Sequence, residues 1–192
     1  PRYLRVTRLI RDIPATSIIG GSRVSNLRQV AMEMMKKQGL SCECIRCREI
    51  RGAAIDPKNI ELKTISYDAS GGHEFFVTYD DVSRDKLCAL LRLRFSSQSL
   101  SGKKHFIKEL EGAALLREIH TYGAQVPISE HDELASQHMG FGKKLVAKAE
   151  DEYRKNPDAT GSLKNLVGLL CRRERSDDEL RAIGLLVNEF KR

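Results

Sequence analysis

Hydrophobic and polar residues alternate most regularly between residues 60 and 95. There IELKTISYDA, HEFFVTYDD and KLCALLRLRF are rich in β-branched, aromatic and leucine side chains, with the turn sequences SGGH and DVSRD between them. That pattern predicts three antiparallel strands. In the third, Leu87, Ala89, Leu91 and Leu93 alternate with Cys88, Leu90, Arg92 and Arg94, as in a central strand. SSQSLSGKK reads as a loop, and ALLREIHTYGAQVP as a fourth strand ending at Gly123 and Pro127. On it Glu118 and His120 share a face, with a structural hydrogen bond expected, and Tyr122 is expected to pack its ring. Helical spacing lies on either side of this block. In NLRQVAMEMMKKQG, Leu27, Val30, Met34 and Met35 form one stripe, expected to be core, with Ser25 or Asn26 as the cap and Gly39 as the stop. KKLVAKAEDEYRKN is a second amphipathic helix, and residues 157–192 read as two short ones. The chain opens with RYLRVTRLI, a predicted strand, followed by the turn-rich DIPATSIIGGS.

Composition narrows the class. The 192 residues are 41% hydrophobic and 31% charged, enough apolar surface for a core and too much for a wholly disordered chain. No run approaches the ~18 apolar residues of a membrane span. The first twelve residues hold four arginines and no apolar leader segment. A soluble, cytoplasmic protein without membrane partners is the expectation.

The charge is lopsided. Residues 1–51 carry 11 basic and 4 acidic side chains, and the remaining 141 carry 22 of each, so the net +7 sits in the first quarter. Nine of those eleven are arginines, which fork onto phosphate and stack on bases. A nucleic-acid face is predicted there, with Arg5, Arg8 and Arg11 as contacts.

Cysteine usage points to a metal. Cys88 and Cys171 stand alone in apolar runs, as small core residues. Cys42, Cys44 and Cys47 form a C-x-C-x-x-C cluster, which in a leaderless chain predicts a metal site rather than disulfides. Flanking Arg46 and Arg48 are expected to favour the thiolates that metals require. A tetrahedral zinc needs a fourth ligand: a histidine, a carboxylate, a distant cysteine or water. His73, His105 and His131 are the histidines considered.

Before the second long helix stands Gln137-His138-Met139-Gly140-Phe141-Gly142, followed by Lys143 and Lys144. This fits the Q/R-x-x-G-x-G/A pattern of acyl-CoA-binding loops. Two glycines leave room for backbone N–H groups to face a pyrophosphate, and the helix N-terminus adds partial positive charge. Gln137 through Lys143 are the candidate cofactor-binding residues.

Together, PRYLRVTRLIRDIP, SNLRQVAMEMMKKQG, CECIRCREIRG, FFVTYDD, LLRLRF, LLREIHTYGAQVPI and QHMGFGKKLVAKAE resemble the catalytic subunit of Elongator over roughly residues 1–156. That family joins a radical S-adenosylmethionine domain to a GNAT-type acetyltransferase domain, and modifies the wobble uridine of tRNA toward 5-carboxymethyluridine with acetyl-CoA. The resemblance implies an α+β fold. Residues 1–51 would be the end of the radical domain with its zinc segment, 52–156 an incomplete GNAT-like antiparallel sheet, and 157–192 a helical tail outside the family pattern. It implies zinc on Cys42, Cys44 and Cys47, acetyl-CoA on Gln137 through Lys143, and tRNA along the basic first quarter. Other Elongator-like subunits or self-association are implied partners. The cysteine triad of the family's iron–sulfur cluster, and with it the S-adenosylmethionine site, has no match here. No catalytic residue is assigned. With no fifth strand legible, weak or absent acetyl-CoA binding is expected. A non-catalytic tRNA-binding or assembly module and a protein-lysine acetyltransferase are the alternatives.

Overall fold

The computed structural model describes residues 1–7, 15–21, 26–107, 110–123 and 139–155. The chain divides into two compact units, Pro1–Glu49 and Ile50–Arg192.

The first unit holds helix α1 (Leu27–Lys37) and the single turn α2 (Ile45–Arg48). Gly39, at φ +71°, ends α1 in the left-handed conformation that glycine adopts without steric cost. The stripe expected to be core is only partly covered: α1 has no fully buried residue, Leu27, Val30 and Met35 are half-buried, and Met34 is 58% exposed. Nor are the described residues of RYLRVTRLI a strand. Three of their carbonyls are taken by arginine side chains instead of a neighbouring strand. Arg28 Nη1 donates to Val6 O at 2.9 Å, Arg46 Nη1 to Thr7 O at 2.5 Å and Arg48 Nη2 to Arg2 O at 3.2 Å.

The second unit is an α+β arrangement, a four-stranded antiparallel sheet in the order β1-β2-β3-β4 with a helix on one face. The strands are β1 (Ile60–Ala69), β2 (Gly72–Asp81), β3 (Lys86–Phe95) and β4 (Ala114–Thr121). Ser70 and Gly71, both at positive φ, make the two-residue link between β1 and β2. The β2–β3 turn is knotted by the fully buried Asp81, which accepts from Ser83 Oγ at 2.7 Å and Arg84 Nε at 2.7 Å. Part of the expected SSQSLSGKK loop is a helical turn, α3 (Ser97–Leu100). The Ser96 hydroxyl accepts from the Ser99 N–H at 3.1 Å and starts it.

Helix α4 (Phe141–Arg154) packs on β2, β3 and β4 and buries Phe141, Leu145, Ala149 and Tyr153. Phe141 stacks on Tyr79 at 4.7 Å and Tyr153 on Phe95 at 6.1 Å between ring centroids. These contacts fix the start of α4, and with it the glycine loop, against the sheet. Residues 157–192, with Cys171, lie outside the described residues. Among the described residues no helix is long and apolar enough to cross a membrane.

Candidate metal centre and cofactor loop

The α2 turn gathers the cysteines. Cys44 caps it in extended conformation, and the Cys47 and Arg48 N–H groups return to Cys44 O at 3.0 and 3.2 Å. The ligand atoms of Cys42, Cys44 and Cys47 then lie within 4.8 Å of one another. Burial pushes the Cys44 thiol up, but N–H donors from Val6 and Cys47 and the neighbouring thiols outweigh it, bringing the pKa down to about 6. Burial and the two other sulfurs push Cys47 up to about 11. Cys44 thus loses its proton far more readily than Cys47. Three converging thiols are a donor set for a thiophilic divalent ion.

The guanidinium at these sulfurs is not one of the expected flanking pair. Arg28, from the first turn of α1, donates from Nη2 to Cys47 Sγ at 3.1 Å. Arg46 reaches Thr7 O, and the buried Arg48 reaches Glu43 O at 3.0 Å and Arg2 O. Among the described residues no fourth metal ligand joins the group. His73 pairs with Asp68 at 2.7 Å, and His105 Nδ1 accepts from the Ile107 N–H at 3.0 Å. His131 lies outside the described residues.

In the glycine loop Met139 through Lys143 are described, and Gln137 and His138 are not. Phe141 is 2% exposed, so its side chain belongs to the sheet contact and only its backbone is left for a ligand. Gly140 caps α4 at φ +66°, a conformation costly for other residues. Gly142 is different. It lies within the helix without a positive φ, and a Cβ there would meet nothing within 4 Å. Neither backbone strain nor internal crowding calls for glycine at that position. Lys143 and Lys144 are exposed on the same first turn.

Of the predicted nucleic-acid contacts, Arg5 pairs with Glu49 at 2.5 Å, while Arg8 and Arg11 lie outside the described residues. On β4, Glu118 accepts from Arg92 Nε at 2.9 Å, and Tyr122 is 7% exposed with its ring against His120. Sequence reasoning missed Arg28 and Glu74. A cation in the first turn of a helix with no acidic residue there opposes the helix dipole, and that was the available signal for Arg28.

No protein-family model matches the chain. It is 40% identical over 158 residues to the tRNA uridine(34) acetyltransferase of Methanocaldococcus infernus. It is 36% identical over 154 residues to Elongator complex protein 3 of Saccharomyces cerevisiae, and 39% over 155 to that of Homo sapiens. Each match covers 78% of this chain but only 27–28% of the relative. Among solved structures, the archaeal Methanocaldococcus infernus Elp3 with an N-terminal deletion superposes with a TM-score of 0.64 at 40% identity. That match covers 78% of this chain and 36% of the solved one. Over that shared stretch, in sequence and in fold, the chain is a member of the family of tRNA uridine(34) acetyltransferases and Elongator complex protein 3.

Proposed function

We propose that this chain is part of a cytoplasmic tRNA-modifying acetyltransferase acting on the wobble uridine. Residues 1–51 would form the end of a radical S-adenosylmethionine domain with a zinc segment, and 52–156 part of a GNAT-type domain. The observation that carries the acyl-CoA assignment is Gly142. Glycine inside a helix costs about 1 kcal/mol relative to alanine, and nothing among the described residues requires it there. Open space beside a helix N-terminus, with two exposed lysines on its first turn, suits a pyrophosphate. Gln137 through Lys143 would hold it by backbone N–H groups, with Lys143 adding charge. Acetyl-CoA would supply an activated acyl thioester. Zinc on Cys42, Cys44 and Cys47 would hold the first unit together, and Arg5, Arg8 and Arg11 would meet tRNA phosphates.

The test is acetyl-CoA protection measured by thermal unfolding. A ligand at 100 times its dissociation constant adds about 2.7 kcal/mol, so titration to high concentration reveals even weak binding. Gly142→Asp, which sets a carboxylate where phosphate must approach, should abolish the protection. Equal protection in both proteins, or none in the unaltered chain, overturns the assignment.

A further inference from the structure

We infer that Arg28 is the outer-sphere partner of the metal-binding thiolates, and that through it the metal clamps the N-terminal strap, residues 4–7, to α1. The inference rests on the metal reading of Cys42, Cys44 and Cys47.

The geometry is two-handed. Arg28 Nη2 donates to Cys47 Sγ at 3.1 Å while Nη1 donates to Val6 O at 2.9 Å. The Val6 N–H in turn bonds Cys44. Val6 is therefore held on both sides of its own α-carbon, by a cysteine at its N–H and by a thiol-bound guanidinium at its carbonyl. One residue pair away, Ile45 N–H donates to Leu4 O at 2.9 Å, so the strap follows the cysteine turn along its length.

Charge gives the reason for an arginine. Three thiolates around a divalent ion carry a net charge of minus one, and a guanidinium hydrogen-bonded to one of them brings the group to neutrality. Two arginines touch the strap by the bonds described above: Arg46 reaches Thr7 O, and Arg28 links Val6 O to the Cys47 sulfur. Helix α1 has no fully buried side chain, only half-buried ones such as Leu27, Val30 and Met35, so the Arg28 contact adds to a shallow packed face in holding it beside the cluster. Metal bound by Cys47 would fix the sulfur to which Arg28 donates and, through the other hand of Arg28, the hold on Val6.

The experiment separates the two hands, using the full chain with Arg28→Gln and Arg28→Lys. Zinc affinity is read by chelator competition, thiolate ligation by the charge-transfer absorption of bound cobalt, and the strap by amide exchange at Val6 with and without zinc. Arg28→Gln should bind zinc 10–100-fold more weakly, the usual range for losing an outer-shell partner, while the cobalt band persists because all three thiolates remain. Arg28→Lys keeps a charge for the sulfur but cannot span both acceptors. It should regain most of the affinity while zinc-dependent protection of Val6 stays at least tenfold below that of the unaltered chain. Wild-type affinity in Arg28→Gln, or Val6 exchange that ignores zinc, overturns the inference and leaves the metal site standing. A chain that binds neither zinc nor cobalt overturns the metal reading and this inference with it.

Discussion

Gly140 and Gly142 are two residues apart and answer to different physics. Gly140 sits at φ +66°, where a side chain strains the backbone, so Gly140→Ala should cost about 1–2 kcal/mol. Gly142 has helical neighbours, no positive φ and open space around its α-carbon, so Gly142→Ala should stabilise the protein by about 0.5–1 kcal/mol. Urea unfolding of the two variants checks both signs. Opposite signs would show that one glycine serves the turn and that the other serves nothing among the described residues. At this scale the cysteine cluster was legible, because spacing alone brings three thiols around one turn. Arg28 was not: its partner lies 19 positions away, and only the folded path of residues 4–7 brings it there.

Among the elements, β1 and β3 coincide with the stretches expected from alternation, because compact turns bound them and a one-residue slip would turn every side chain over. The α1 stripe misled for the opposite reason, since periodicity shows that a face exists and not how deeply it is covered: Leu27, Val30 and Met35 are only half-buried and Met34 is exposed. Register also creates what no single strand announces. Tyr67 on β1 lies opposite Glu74 on β2, which lies opposite Arg94 on β3. Glu74, 2% exposed, accepts from Tyr67 at 2.8 Å, from Arg94 at 2.9 Å and from Arg117 of β4. One carboxylate is thus tied to all three other strands. Burial alone would raise its pKa, but Tyr67, Arg94 and Arg117 together hold it below the ordinary carboxylate value. A depressed pKa means stability that is fully present above the unfolded-state value of about 4.3 and lost as pH falls through the lower folded value. Glu74→Gln should cost about 3 kcal/mol at neutral pH, the scale for breaking a buried pair, and should flatten the acid limb of a stability–pH profile. An acid limb as steep as that of the unaltered protein would show that another carboxylate governs it.

For the whole molecule, the division into Pro1–Glu49 and Ile50–Arg192 assigns different sources of stability to its two parts. The sheet unit has an apolar core along β3 and α4, whereas the described part of the first unit buries few large apolar side chains beyond Ile45. If a metal supplies what the core does not, a chelator should strip amide protection from the residues around Cys42–Cys47 by tenfold or more, and leave β2 and β3 protected. Exchange mass spectrometry before and after chelation reads this, and equal loss in both units would contradict it. The family was visible in the sequence because its motifs recur in order. The arginines of the first unit have one more consequence. Arg28, Arg46 and Arg48 spend N–H donors on the chain's own carbonyls, and Arg2 and Arg5 face Glu43 and Glu49. All but the buried Arg48 still present charge to solvent, but much of their forked grip is already in use. A polyanion meeting these described arginines would be drawn in by charge and held loosely by them, with the tighter grip left to other residues.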